Sequence, residues 1–431
     1  MNTEPVSSVV FPTPRREDDA LSHLPGRLII MKKRTALAAL LLVAACLLAP
    51  ETAQAAKPKL QVFILAGQSN MVGHANFITI PTLFTAKEPE VRELAKLVFK
   101  DGAKVTRAMV DDQIATMIAR NDLNQKIRKK EITGEEAIAK ARAEIKKLGG
   151  EFTAKSNKIK QAFVVSKRVH ITSIADRNRR SGPLTVGFGG NRDKIGPELG
   201  FGLSIAKKLD APILLIKTSW GGKSLHYNFR PPSAGTYQLS KKELEGDKVE
   251  EIKKNAGLNY RMMNEAVHAV LKDLGKHHPE YDASAGHEMA GFVWFQGFND
   301  QFSPAFRDNY KDNMIAFIKD VRKEYKAPKM PFVIGVMGTG ITEEAVGKNA
   351  VSVAQREAAK APEFQGNVAS VESYKVYSLD SLAVYKKGWA QHFAEWCVVG
   401  SDRPYHYLGS GKFFVRFGNS LGRQMLKLMA D

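Results

Sequence analysis

Four short apolar runs recur along the chain, and polar or glycine-rich residues follow each of them. Runs of this length that contain Val, Ile and Phe are typical of strands buried on both faces of a parallel sheet. Helical patterns precede three of the runs, and this alternation predicts an α/β protein with helices on both faces of the sheet. We therefore expect a three-layer α/β/α sandwich with about five parallel strands. The runs cover residues 60–66, 212–218, 291–295 and 331–337, and the helical patterns cover 200–209, 259–274 and 308–325.

Residues 85–160 interrupt the alternation. They contain 18 Lys/Arg and 12 Asp/Glu with few aromatic residues, which predicts a helical insertion or lid packed on the core domain. A solvated surface excursion without a role in binding is the alternative. Thr133 and Glu136 have the spacing of a capping box, and Gly149 is expected to end the helix that they begin.

The N-terminal residues have the layout of a secretory signal peptide. A basic start at residues 32–34 is followed by an apolar run over 36–50, too short to span a bilayer, and by small residues at 53–55. This pattern predicts translation from Met31, export to the periplasm or outside the cell, and no transmembrane span in the mature protein. The expected division is an extension with signal peptide over 1–55 and an enzyme domain over 56–431. The alternative is a lipoprotein box at residues 43–46, which would anchor the chain through Cys46.

The chain is basic and poor in cysteine. Its formal net charge is +19, and residues 1–55 hold six Lys/Arg against five Asp/Glu, so almost all of that charge belongs to the remaining residues. Such a charge favours anionic partners, for example an acidic polysaccharide, over long distances; a basic protein without a polyanionic partner is the alternative. Charge alone does not predict nucleic-acid binding. The two cysteines, Cys46 and Cys397, exclude a disulfide framework and a cysteine-based metal site.

Segments rich in polar residues and glycine lie just after the predicted strands, where parallel sheets gather ligand-binding groups. Segment 67–71 (GQSNM) follows the first strand, and a serine on such a turn can expose its hydroxyl as a nucleophile, although a single serine there is more commonly a helix cap. The amide of Asn299 is a suitable oxyanion donor, and His406 is a candidate general base. The other segments near strand ends are 219–224 (SWGGKS) and 294–300 (WFQGFND), whereas His406 lies in segment 405–410 (YHYLGS), shortly before the last helical segment.

The order Ser69, Gly222, Asn299, His406 resembles the four sequence blocks that name the SGNH hydrolases. GQSNM, the segment 196–199 (GPEL) and WFQG resemble the sialate O-acetylesterase branch, which includes acetylxylan esterases. The resemblance covers most of residues 58–425 except the insertion, and it implies a flavodoxin-like fold and removal of O-acetyl groups from carbohydrate. By the same resemblance, Ser69 attacks the ester and His406 is the base, and the oxyanion hole is formed by the Ser69 and Gly222 N–H groups and the Asn299 side chain.

Two positions depart from the family pattern. Relatives commonly carry an aspartate three residues before the histidine, but here Asp402 lies four before it, with Arg403 at the usual place. Either Asp402 or a backbone carbonyl is therefore expected to orient His406. The second departure is Phe298, where sialate-esterase relatives often carry glutamate.

Gln68, Gln296 and Trp220 are the candidate substrate contacts, with core packing as the alternative for the tryptophan. Nothing in the sequence indicates a metal ion or an organic cofactor. Acetylated carbohydrate is the expected substrate. A lipase-like or aryl esterase of broad specificity, and a catalytically inactive basic glycan-binding protein, are the alternatives.

Overall fold

The computed structural model describes residues 57–176 and 178–430. The expected signal peptide, Met31 and Cys46 lie outside the described residues. Within the described part, no helix combines the length and apolar character needed to cross a bilayer. The strands are β1 Leu60–Gly67, β2 Ala75–Asn76, β3 Val169–Ala175, β4 Asn178–Pro183, β5 Lys194–Ile195, β6 Ile213–Ser219, β7 His287–Phe295, β8 Phe332–Val336 and β9 Val368–Glu372.

Helices occupy most of the connections between strands, and each predicted helical pattern coincides with one of them. Seventeen α-helices fall within the described residues. They are α1 Ser69–Val72, α2 Pro89–Glu93, α3 Ala95–Val98, α4 Arg107–Arg128, α5 Glu135–Lys160, α6 Glu198–Ala206, α7 Lys241–Leu244, α8 Val249–Asn255, α9 Leu258–Leu271, α10 Leu274–His277, α11 Pro304–Asp308, α12 Tyr310–Glu324, α13 Glu343–Lys348, α14 Ala350–Ala359, α15 Leu379–Gly388, α16 Phe393–Val399 and α17 Gly411–Ala430.

The central sheet has seven strands in the order β4-β3-β6-β1-β7-β8-β9. All neighbours pair in parallel except β4, which runs antiparallel to β3 at one edge. The predicted parallel sheet is therefore confirmed, with six parallel strands instead of about five. The sequence pattern does not reveal β3, β4 and β9, because β3 and β9 mix polar with apolar residues and β4 is largely polar.

Side chains of β1 alternate between two hydrophobic cores, one on each face of the sheet. Val62 and Ile64 pack in the core that contains α9 and α12, whereas Phe63 and Leu65 pack in the core beneath α6 and α17. Successive residues of a strand point to opposite faces, so a strand that is apolar throughout must be covered on both sides. This arrangement is the predicted three-layer sandwich.

Helices α6 and α17 cross at a distance that only glycine allows. A Cβ atom on Gly200 would lie 2.3 Å from the carbonyl oxygen of Val415, and one on Gly418 would lie 2.2 Å from that of Pro197. Because both backbones touch here, a larger residue at either position would force the helices apart. This crossing fixes the position of α17, which begins directly after the segment that carries His406.

Residues 85–160 contain helices α2 to α5 and no strand of the sheet. The predicted capping box is wrong: the helix begins after Gly134, and no side chain caps it. The predicted end at Gly149 is also wrong, because α5 continues through it to Lys160. Packing against α4, including a hydrogen bond of 2.5 Å from Gln113 Nε2 to Ser156 Oγ, outweighs the low helix propensity of glycine.

Candidate active site

The carboxyl ends of β1, β6 and β7 lie side by side at one edge of the sheet. Gly67 is opposite Ser219 on one side and opposite Phe295 on the other. After β1, the chain first forms strands on one side of it, among them β3 and β6. It then forms β7, β8 and β9 on the other side of β1. Such a reversal leaves a crevice at the carboxyl ends of the strands, where α/β proteins bind ligands. Segments 67–71, 219–224 and 294–300 meet there.

A tight turn after β1 presents Ser69. Gly67 has a φ of +155°, and a Cβ at this position would lie 2.1 Å from the carbonyl oxygen of Phe295. The Gln68 N–H donates to that oxygen at 3.3 Å, and Ser69 then begins α1 with a partly exposed side chain. Only glycine fits between the two strands, which explains why segment 67–71 begins with Gly67.

Gln68 orients the side chain of Asn299. Gln68 Nε2 donates to Asn299 Oδ1 at 2.9 Å, while Gln68 Oε1 accepts from Gln296 Nε2 at 3.2 Å and from the Gly297 N–H at 3.1 Å. With its oxygen engaged, Asn299 keeps its Nδ2 group available as a donor. The amide therefore has the orientation that an oxyanion hole requires.

The three predicted substrate contacts are buried, which argues against direct contact with substrate. Gln68, Gln296 and Trp220 are 1%, 2% and 6% exposed. The two glutamines hydrogen-bond to each other, and Trp220 packs in the core near Phe229. Sequence alone does not distinguish a polar residue facing the crevice from one facing the layer beneath it. Core packing, the alternative considered for Trp220, is what the structure shows.

The loop after β6 leaves Gly222 at the surface. The Trp220 N–H donates to the Gly67 carbonyl at 3.2 Å, and the Gly221 N–H donates to Asp176 Oδ1 at 2.8 Å. Gly222 is exposed with a φ of +68°, and its N–H has no acceptor among the described residues. That donor is thus free for a substrate oxygen.

His406 lies on a left-handed turn that its neighbours hold in place. His406, Tyr407 and Leu408 have φ values of 53°, 52° and 60°, a region that non-glycine residues rarely adopt. Tyr407 stacks on Phe413 with ring centroids 3.9 Å apart, and its hydroxyl accepts from the Gly338 N–H at 3.1 Å. Burial raises the pKa of Tyr407 to about 12, so the hydroxyl stays protonated. Strain of this kind persists only where surrounding contacts enforce it.

Asp402 lies beside His406. Its Oδ2 is 3.3 Å from His406 Nδ1, although the ring N–H is not aligned for a hydrogen bond. Burial by itself would raise the pKa of Asp402, but the contact with His406 and the nearby Lys194 and His74 lower it overall. The carboxylate is therefore ionised beside the imidazole, which favours it over a backbone carbonyl as the group that orients His406.

One cavity is lined by residues of both the Ser69 turn and the His406 segment. Asn70, the residue after Ser69, and His406 both line a cavity of about 170 Å³. Among the described residues, no hydrogen bond joins the serine to the histidine. Catalytic hydrogen bonds are often long in unliganded enzymes and tighten when substrate binds.

The sequence model of one family, described as carbohydrate esterase, sialic acid-specific acetylesterase, matches residues 166–383, half of the chain. The chain belongs to this family. The family is one of carboxylic ester hydrolases that act as carbohydrate acetylesterases. Gly222, Gln296 and Asn299 lie within the matched residues, whereas Ser69 and His406 lie outside them. No curated protein sequence matches the chain.

Three solved structures are similar to this esterase. A protein from Arabidopsis thaliana is 16% identical, with 86% of this chain and 98% of that chain covered and a TM-score of 0.41. A carbohydrate acetylesterase from Xanthomonas citri is 11% identical, with 74% and 51% covered and a TM-score of 0.36. NanS is 11% identical, with 73% and 78% covered and a TM-score of 0.36. The family assignment rests on the sequence match.

A buried polar network lies beneath Gly222 and Asn299, the candidate oxyanion donors of the esterase. Asp300 is fully buried and accepts from Gln296 Nε2 at 2.6 Å and from the Leu225 and His226 N–H groups at 2.9 Å each. Burial raises the pKa of Asp300 to about 6, although these three donors oppose the rise. The network ties the loop after β6 to the loop after β7, so Gly222 and Asn299 are held in a fixed relation.

His74 and Lys194 also lie close to the His406–Asp402 pair of the esterase. The His74 and His406 rings stack with centroids 4.2 Å apart, and Lys194 Nζ lies 3.3 Å from His74 Nδ1 and 3.8 Å from Asp402 Oδ2. Burial, then the proximity of His406 and Lys194, lowers the pKa of His74 to about 4, so its ring is neutral. The sequence marked His74 only by its position five residues after Ser69, and nothing in the sequence indicated Lys194.

Donor atoms of His74, Asp402 and His406 lie within 4.8 Å of one another, and these side chains are the one group of metal-binding types among the described residues. The Lys194 ammonium already provides a positive charge beside Asp402 and His74. A divalent cation would meet repulsion from Lys194 and would compete for the imidazole that a serine esterase uses as base. The arrangement fits proton transfer better than metal binding.

Proposed function

We propose that this chain is an exported serine esterase that removes O-acetyl groups from carbohydrate through an acyl-enzyme. The observation that carries the proposal is the convergence at one edge of the sheet of the Ser69 turn, the oriented amide of Asn299 and the His406–Asp402 pair. The family supports the acetylated carbohydrate. The export expected from residues 31–56 is part of the proposal.

In the proposed reaction, Ser69 Oγ attacks the acetyl carbonyl carbon while His406 accepts the hydroxyl proton. The oxyanion receives hydrogen bonds from the Gly222 N–H, the Ser69 N–H and Asn299 Nδ2. As the tetrahedral intermediate collapses, His406 returns the proton to the leaving sugar oxygen. A water molecule, deprotonated by His406, then attacks the acetyl-enzyme, and acetate and free Ser69 are released.

Acetylated sialic acid and acetylated polysaccharide are both candidate substrates, and the net charge of +19 favours long-range attraction to an acidic polymer without selecting the sugar ring that enters the site. A broad-specificity lipase-like or aryl esterase is the second candidate, and an inactive glycan-binding protein the third. The intact convergence of the serine turn, amide and histidine favours catalysis over binding alone.

Replacement of Ser69 by alanine tests the mechanism. We expect Ser69→Ala to abolish acetate release from acetylated sugars, since the change removes only the attacking hydroxyl. Ser303→Ala serves as the matched control and should remain active, because Ser303 is a partly exposed serine at a helix start, like Ser69. A fluorophosphonate probe should label the wild type at Ser69 by peptide mass spectrometry. Acetate release by a folded Ser69→Ala variant, or labelling at another serine, contradicts the assignment.

The proposed export is tested separately by mass spectrometry of the chain recovered outside the cytoplasm. We expect a new N-terminus next to Ala56, because residues 53–55 provide the small side chains of a cleavage site. A lipid-modified Cys46 would show membrane anchoring, and an intact N-terminus on the cell-produced protein would contradict export.

A further inference from the structure

Three aromatic side chains form a cluster at the surface next to His406. Phe302 and Tyr405 are 66% and 54% exposed. Both rings contact Phe298 edge to face, with centroids 5.2 Å from Phe302 and 5.7 Å from Tyr405. Exposed large aromatic residues that group together, instead of being scattered singly, mark a binding surface. We call these three residues the aromatic platform.

The aromatic platform is continuous with the catalytic cavity. Phe298 and Tyr405 line the same cavity of about 170 Å³ as Asn70 and His406. The rings of Tyr405 and His406 have centroids 6.2 Å apart, and Phe298 directly precedes the oxyanion residue Asn299. A group attached to the ester oxygen at His406 therefore meets the platform as it leaves the crevice.

Among the described residues, the cavity wall carries no lysine, arginine, aspartate or glutamate. The nearby cationic side chains contact other residues or do not line the cavity. The Arg403 guanidinium lies over the ring of Trp389, and Lys194 faces Asp402. Lys223, on the loop after β6, does not line the cavity. A substrate carboxylate would lose its hydration in this cavity without gaining a cationic partner from the described residues that line it.

A carboxylate, that of Asp176, also lies near Ser69. Both oxygens of Asp176 and the Cβ of Ser69 lie within 4 Å of the point where a Cβ on Gly221 would be. Asp176 is held there by its hydrogen bond from the Gly221 N–H. A second negative charge this close to the serine repels an anionic group on the substrate.

We propose that the aromatic platform is a subsite for an uncharged pyranose ring that carries the acetyl ester, and that Phe298 and Tyr405 determine this specificity. The apolar C–H face of the sugar packs on the rings, as amphipathic ligands do in sites that are mainly apolar with few polar groups. The inference rests on the proposed esterase activity and deepens it by selecting neutral acetylated sugar over acetylated sialic acid. It also gives a role to Phe298, where related sequences often carry glutamate.

The test measures acetate release from three esters by the full-length mature protein. The esters are ethyl acetate, a mono-O-acetylated methyl pyranoside and 9-O-acetylated N-acetylneuraminic acid. We expect the wild type to prefer the neutral pyranoside. Tyr405→Ala and Phe298→Ala should each raise KM for the pyranoside about tenfold, and should lower kcat/KM for the pyranoside more than kcat/KM for ethyl acetate. Tyr405→Phe, which keeps the ring, should behave like the wild type.

Leu379→Ala is the matched surface control, because Leu379 is 66% exposed, like Phe302, and does not line the cavity. The possible failures are distinguishable. If the wild type releases no acetate from any ester, the proposed function itself is wrong. If it hydrolyses ethyl acetate but Tyr405→Ala and Phe298→Ala hydrolyse the pyranoside normally, the subsite is wrong while the esterase stands. A preference for the acetylated sialic acid overturns the selection of a neutral ring.

Discussion

One carboxylate oxygen of Asp402 lies within 4 Å of three side-chain nitrogen atoms. Its Oδ2 lies 3.3 Å from His406 Nδ1, 3.7 Å from His74 Nδ1 and 3.8 Å from Lys194 Nζ. Lys194 is the charged member of this set and His74 is neutral, so the carboxylate is stabilised as an anion without being neutralised by a close ion pair. In the proposed mechanism, an anion in this position fixes the tautomer of His406 and stabilises the imidazolium that would form during acyl transfer.

Asp402→Asn is the residue-scale test of this arrangement. We expect kcat to fall by several orders of magnitude, about 10,000-fold where the same change was made in the serine-protease triad. KM should change little, since Asp402 acts through His406 and not on the substrate. The measurement is steady-state hydrolysis of a simple acetate ester, with thermal unfolding to check the fold. A loss below about tenfold in a folded variant means that His406 works without this acid.

At the scale of elements, a buried ion pair joins three parts of the fold behind the serine turn. Lys217 of β6 donates to Glu198 Oε2 of α6 at 2.9 Å, to the Val72 carbonyl at the end of α1 at 2.9 Å and to the Phe188 carbonyl at 2.6 Å. Both side chains of the pair are fully buried. Burial is the main influence on the pKa of Lys217 and lowers it, whereas Glu198 opposes this effect.

Lys217→Met is expected to reduce the free energy of unfolding by about 3–5 kcal/mol, because it leaves the Glu198 carboxylate buried without its partner. The double variant Lys217→Met with Glu198→Leu should recover part of that loss, since it removes both charges. Urea denaturation of the two variants and the wild type measures the difference. An equal or greater loss in the double variant would show that the carbonyls of Val72 and Phe188, and not the charge of Glu198, account for the cost.

At the scale of the whole molecule, buried histidines make stability depend on pH. Burial, followed by the proximity of Arg230, lowers the pKa of His226 to about 4, and the pKa of His74 is lowered to a similar value. Both stay neutral in the folded protein, while the unfolded chain binds a proton on each as pH falls below about 6.5. Asp300 acts in the opposite direction, because its pKa of about 6 lets the folded state bind a proton first.

Since two histidines oppose one aspartate, the free energy of unfolding should fall as pH is lowered from about 6.5 to 4, by an amount on the order of 1–3 kcal/mol. His226→Gln should make this dependence shallower. The side chains of Asn313, Phe306, Tyr237, Arg230 and Glu243 lie near His226, and the substitution leaves all five in place. Urea denaturation at pH 7, 6 and 5 measures the slope. If the free energy of unfolding depends on pH equally in His226→Gln and the wild type, His226 does not contribute to that dependence.

The sequence by itself determined the central strands and the edge of the sheet where the candidate site lies. Strands buried on both faces are mostly apolar, so β1, β6, β7 and β8 are visible as short apolar runs, and the loops after β1, β6 and β7 carry the candidate nucleophile and oxyanion donors. These features depend on neighbours along the chain, so local pattern is enough to reveal them.

Only the tertiary structure decided which polar residues face substrate and which groups surround His406. Gln68 and Gln296 occupy conspicuous motif positions but are buried, because each is the hydrogen-bonding partner of the other across 228 positions of the chain. His74 and Lys194 reach Asp402 from separate parts of the chain. Burial and proximity of this kind arise when the layers pack, and no local pattern of polar and apolar residues encodes them.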